Sequence, residues 1–187
     1  MEQLLKDIRA CQLCESLPLG PRPILQASTR SRILIAGQAP GRITHNKERP
    51  FDDASGDRLR TWLGVSREQF YDETFFAIVP MGFCFPGTAK GGDLAPRPLC
   101  AHTWREKVLS QLTNLQLRLV IGKFAMNWHV PKTKLSLTAL VHSSKRSDNI
   151  VVLPHPSPRN GIWLKKNPWF EIDFLPELKW RVAEALR

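Results

Sequence analysis

Two short loops concentrate the residues able to do chemistry. Gly37-Gln38-Ala39-Pro40-Gly41 joins a glycine-rich turn to an amide that can orient a water, and Pro154-His155-Pro156-Ser157-Pro158 holds an imidazole in a stiff frame. The first follows the apolar run Ile33-Leu34-Ile35-Ala36 and the second follows Ile150-Val151-Val152-Leu153, so each stands where a buried strand ends. In an open parallel sheet those ends converge on one crevice, where ligands bind. A turn and a histidine far apart in sequence are thereby expected on one pocket.

A second constellation is made of cysteines. Cys11 and Cys14 form a C-x2-C pair, and Cys84 and Cys100 a C-x15-C pair. The amino-terminal residues carry charges at helical spacing rather than the apolar core of a secretory signal, and no run has the length of a membrane span. A cytoplasmic location is expected, and in a reducing compartment a four-thiolate metal site explains the cysteines better than disulfides. Zinc and a 4Fe-4S cluster both accept such ligands. The glycine- and proline-rich segment 85–99 is unlike the short second knuckle of a zinc ribbon, which favours the cluster. Four unrelated buried thiols are the alternative.

The elements that must position these groups alternate along the chain. Short apolar runs bounded by turn residues predict strands at 33–36, 75–79, 117–121 and 150–153, and helical spacing predicts helices at 2–10, 56–63, 102–112, 123–129 and 170–186. Strands separated by helices imply an α/β fold: a three-layer sandwich with a central, mostly parallel four-stranded sheet flanked by helices. The strand ends lead into the Gly37 turn, Pro80-Met81-Gly82-Phe83-Cys84, Gly122-Lys123 and the His155 loop. With 187 residues and neither a repeat nor a linker, a single domain over 1–187 is expected. A net charge of +10 favours a polyanionic partner such as nucleic acid, while saying nothing about fold.

Taken together, the Gly37 loop and His155-Pro156-Ser157 resemble motifs one and two of the uracil-DNA glycosylase superfamily. The cysteine spacing resembles that of its iron-sulfur branch, family 4. Arg49-Pro50-Phe51 followed by Gly56-Asp57-Arg58-Leu59 is similar to the family's G-R-P-F segment and the helix after it. The resemblance implies a monomeric enzyme that flips a deaminated or otherwise damaged base out of DNA and hydrolyses its N-glycosidic bond. Gly37, Ala39, Pro40, Gly41, Phe51 and Pro80 would then line the base pocket, with the Phe51 ring stacking on the base. Gln38 would position the water, and His155 would donate to the departing base. Cys11, Cys14, Cys84 and Cys100 would hold the cluster. Ser157, Arg159, Asn160, Lys165 and Lys166 would meet DNA, with Arg159 and Asn160 as the wedge and the two lysines on phosphates.

Two positions depart from that pattern. Gln38 stands where family 4 usually has Glu, so a general base must come from elsewhere if there is one. Pro80 stands where an Asn reads the uracil edge, and proline supplies neither a side-chain hydrogen bond nor a backbone donor. Asp52, Asp53 and His45 are the nearby groups able to supply charge or take a proton, against the alternative that the acids cap a helix starting near Ala54.

Overall fold

A computed structural model describes residues 1–144 and 149–187. The chain begins with α1 (Glu2–Arg9), β1 (Ile33–Ala36), α2 (Arg42–Lys47), α3 (Ala54–Leu63), α4 (Arg67–Tyr71) and β2 (Phe76–Ile78). A small hairpin follows, β3 (Thr88–Ala89) and β4 (Gly92–Asp93), and then a helical run made of α5 (Pro98–Cys100), a π-helical turn (Ala101–Arg105) and α6 (Glu106–Leu109). Next come β5 (Leu117–Ile121), α7 (Gly122–His129), α8 (Leu137–Ser144) and β6 (Ile150–Leu153). A 3-10 turn (Pro158–Asn160), α9 (Gly161–Lys166), a π-helical stretch (Phe170–Phe174) and α10 (Leu175–Leu186) complete it.

The four long-range strands form one sheet in the order β2-β1-β5-β6, and each neighbouring pair is parallel. Ile33 pairs with Phe76 on one side and Leu117 on the other, and Arg118 pairs with Ile150. A parallel sheet covered by helices needs strands that are apolar on both faces, which explains why β1 is buried at all four residues. α10 packs on β1 and α3, α7 on β5 and β6, and α8 on β6. The chain leaves β1 toward β2 on one side and later returns to β5 on the other, so the topological switch lies beside β1.

The expected α/β architecture is present, and these four strands are wholly rather than mostly parallel. Two expected helices differ in detail. The one placed at 102–112 contains the π turn and ends at Leu109, and the one placed at 170–186 begins in π geometry. An inserted residue of this kind re-aims side chains, and here the first π turn ends on the fully buried Arg105. Among the described residues no helix is long and apolar enough to cross a membrane.

Candidate active site

A cavity of about 340 Å³ opens beside the carboxyl end of β1, within the size range usual for ligand pockets. All five residues 37–41 line it, together with Phe51, Pro80, His155, Ser157 and Arg159. The Gly122-Lys123 strand end does not line it, because β5 runs straight into α7.

Backbone bonds fix the first loop. The Met81 N–H donates to the Gly37 carbonyl at 2.9 Å and the Gly82 N–H to the Gln38 carbonyl at 3.0 Å, which zips the loop to the segment after β2. The Gln38 side chain reaches across the cavity edge, where its Nε2 donates to the Leu94 carbonyl at 3.0 Å. That bond orients the amide and leaves its Oε1 as an acceptor.

His155 is held by its own loop. The Ser157 N–H donates to His155 Nδ1 at 3.2 Å, and Asn160 Nδ2 donates to the His155 carbonyl at 2.7 Å. Burial lowers the imidazole's affinity for a proton, outweighing the opposite pull of Asp53 and Asp93. A neutral ring whose Nδ1 accepts carries its proton on Nε2, so His155 offers one N–H donor to the cavity it lines.

Phe51 adopts φ +53, a left-handed backbone that is costly for an aromatic residue. Three contacts hold it there. Arg60 Nη1 donates to its carbonyl at 3.2 Å, its ring meets Phe70 edge-on at 6.3 Å, and Gly56 lets α3 approach the Phe51 carbonyl so closely that a Cβ would not fit. The ring edge lies over Gly37, 3.4 Å from where a Cβ would stand. From the same helix Arg58 Nη1 donates to the Ser157 carbonyl at 3.0 Å, so α3 ties the aromatic wall to the histidine wall.

The structure separates the three nearby groups. Asp53 caps α3, accepting from the Gly56 N–H at 2.9 Å, and also lines the cavity. Asp52 lies outside it, paired with Arg67 at 2.9 Å and Lys47 at 3.5 Å. Burial acts to raise the Asp52 carboxyl, but hydrogen bonding and charge from these two partners hold it below the usual range. His45 is buried against Phe85 at 6.1 Å and is not part of the lining. On the β2 side, the Val79 and Pro80 carbonyls both accept from Arg105 Nη1, at 2.7 and 2.9 Å, and Arg105 Nη2 meets His129 Nε2 at 2.6 Å.

At the mouth, Arg159 is exposed and its Nη1 donates to the Gly91 carbonyl at 3.3 Å. Asn160 has its side chain committed to the His155 carbonyl, which makes it a brace for the histidine loop. Lys165 and Lys166 are exposed on the last turn of α9, outside the lining, and Ile162 on the same helix is 71% exposed.

The four cysteines, free of disulfides, line one small apolar void with Phe83, Trp104 and neighbouring prolines. The Phe83 N–H donates to Cys100 Sγ at 3.3 Å, and Trp104 Nε1 donates to Cys11 Sγ at 3.4 Å. Burial, with the neighbouring thiols adding to it, pushes the Cys84 thiol up to about 12, and burial likewise pushes Cys100 up to about 11. Among the described residues no three His, Cys, Asp or Glu side chains are closed into a preformed site for a metal ion.

Sequence reasoning missed Asp93, which lines the cavity from the hairpin, and the positioning roles of Arg58, Arg60 and Arg105. Arg58 and Arg60 lie in or next to the recognised Gly56-Asp57-Arg58-Leu59 segment, a signal that was present, whereas Arg105 lies in a separate helical run. Asp93 had none, because its segment reads as a glycine- and proline-rich loop. A model of the uracil DNA glycosylase superfamily matches residues 25–179. The chain belongs to this superfamily, whose members act on DNA, and the match supports a DNA-glycosylase-like function in general.

Proposed function

We propose that this protein excises uracil and related deaminated bases from DNA by hydrolysing the N-glycosidic bond. The observation that carries the reading is a single cavity with an aromatic ring and a neutral, donor-bearing imidazole among its walls. Extruding a base from the duplex costs about a few kcal/mol, which stacking on Phe51 helps to offset. As the bond breaks, negative charge gathers on the base, where the His155 Nε2–H stabilises it without transferring a formal charge. Gln38 Oε1 accepts from the attacking water. Pro80 reads no base edge, and the N–H groups of Met81 and Gly82 are already spent on the first loop. A base specificity wider than uracil follows.

Cys11, Cys14, Cys84 and Cys100 would hold a 4Fe-4S cluster, since four soft ligands share one apolar void and two of the sulfurs already receive N–H donors. Its part is structural: it would join the segment after α1 to both ends of the 84–100 loop. The test is base release from single- and double-stranded oligonucleotides carrying a panel of deaminated bases. Wild-type protein should release base, and His155→Ala should lower the rate by about 10²–10³. A second reading, a damage-binding protein with weak hydrolysis, is favoured by Gln38 and Pro80. Salt-dependent binding to every lesion with release from none would select it.

A further inference from the structure

The missing motif-one carboxylate leaves a chemical gap, because an amide orients a water without accepting its proton. The cavity nevertheless contains two acids, Asp53 and Asp93. Asp53 is engaged as the α3 cap. Asp93 is not: among the described residues no hydrogen bond or ion pair reaches its carboxylate.

Its position is defined from three sides. A methyl group on Gly41 would meet Asp93 Oδ2 at 3.2 Å, so the carboxylate lies against the first loop. The next residue along, Leu94, accepts from Gln38 Nε2, which sets the water-orienting amide beside the acid. Arg159, on the turn that follows the histidine loop, donates to the Gly91 carbonyl and so ties the hairpin to that side of the cavity. Asp93 and His155 also sense each other's charge. Partial desolvation at the cavity edge pushes the Asp93 carboxyl above its ordinary range, against the pull of Arg159, His155 and Arg42, which suits a group that must accept a proton.

We infer that Asp93, carried on the β3-β4 hairpin rather than on the first loop, is the catalytic carboxylate that takes the proton from the attacking water. The inference deepens the glycosylase reading and rests on it. The C1′–N bond breaks with its electron pair leaving on the base, next to the His155 N–H. The water held at Gln38 Oε1 forms the new C1′–O bond and gives one proton to Asp93. That proton then passes to solvent or to the released base, so the net reaction consumes one water and yields a base with its N–H restored.

The experiment is single-turnover base release by wild type, Asp93→Asn, Asp93→Ala and Asp53→Ala, with formate added to the alanine variants, alongside binding to a duplex carrying a non-cleavable 2′-fluoro-deoxyuridine. Asp93→Asn should slow release by about 10²-fold or more while binding the analogue as wild type does. Formate should restore part of the rate to Asp93→Ala and none to Asp53→Ala. Rates for Asp93→Asn equal to wild type, weakened analogue binding that accounts for the whole loss, or formate rescue of Asp53→Ala alone would overturn the assignment. A wild-type protein that releases no base from any lesion overturns the glycosylase reading itself, and this inference with it. The two failures are therefore distinct.

Discussion

Replacing Gly56 by alanine separates two opposed effects. In an ordinary helix the change is favourable, by up to about 1 kcal/mol, because alanine loses less backbone freedom. Here the added Cβ would fall inside contact distance of the Phe51 carbonyl oxygen and 2.6 Å from its carbon. Relief requires the carbonyl to retreat by more than an ångström, yet Arg60 grips that oxygen and the residue already sits at φ +53. Overpacking of this kind costs about 1–3 kcal/mol, so the sign reverses and Gly56→Ala should be destabilised. The Phe51 ring would shift with its backbone, and a misplacement of about 1 Å near reacting groups costs on the order of 10²-fold in rate. Urea denaturation together with single-turnover base release measures both, with the exposed Thr61→Ala on the same helix as the control. A Gly56→Ala protein as stable and as active as wild type would refute the claim that α3 sets the aromatic wall.

Other consequences can be checked independently. Arg58→Ala removes the tie from α3 to Ser157 and should slow base release at little cost in stability, read by comparing kcat with the midpoint of unfolding. The His129 imidazole is lowered to about 3 by burial, aided by Arg105 and Arg118, from an ordinary value of 6.5. The unfolded chain therefore binds the extra proton first, and the stability due to neutral His129 is intact above pH 6.5 and lost as pH falls toward 3. Between pH 6.5 and 5 that loss is about 2 kcal/mol, and a His129→Gln variant should lack it in urea titrations at the two pH values. Protein produced with ample iron should be brown and should unfold at lower temperature once the iron is removed; a colourless zinc-containing preparation would count against the cluster.

The strands were readable because a parallel sheet buries both faces, and runs such as Ile33-Leu34-Ile35-Ala36 have no other use. The two loops were readable for the same reason, since each adjoins such a run. The hairpin was not. Thr88, Ala89 and Asp93 are exposed, so no apolar alternation marks the pairing, and the acid it carries looked like one more polar loop residue. Phe51 was identified by its motif, but its left-handed backbone depends on Arg60 and Gly56, which act through space. Arg105 lay within an expected helix, and only the π turn reveals that its guanidinium supports the carbonyl end of β2.

The 84–100 loop has a cysteine at each end, and both sulfurs border the same void. Between these anchor points the segment buries Phe85 and is tied to both pocket loops, with Leu94 accepting from Gln38 and Gly91 from Arg159. Such a segment is a bridge between the cysteine void and the cavity: a change in its length would shift the two carbonyls that Gln38 and Arg159 hold. Grafted sequences between Cys84 and Cys100 should therefore leave the pocket wall intact only where Asp93 and the carbonyls of Gly91 and Leu94 keep their places.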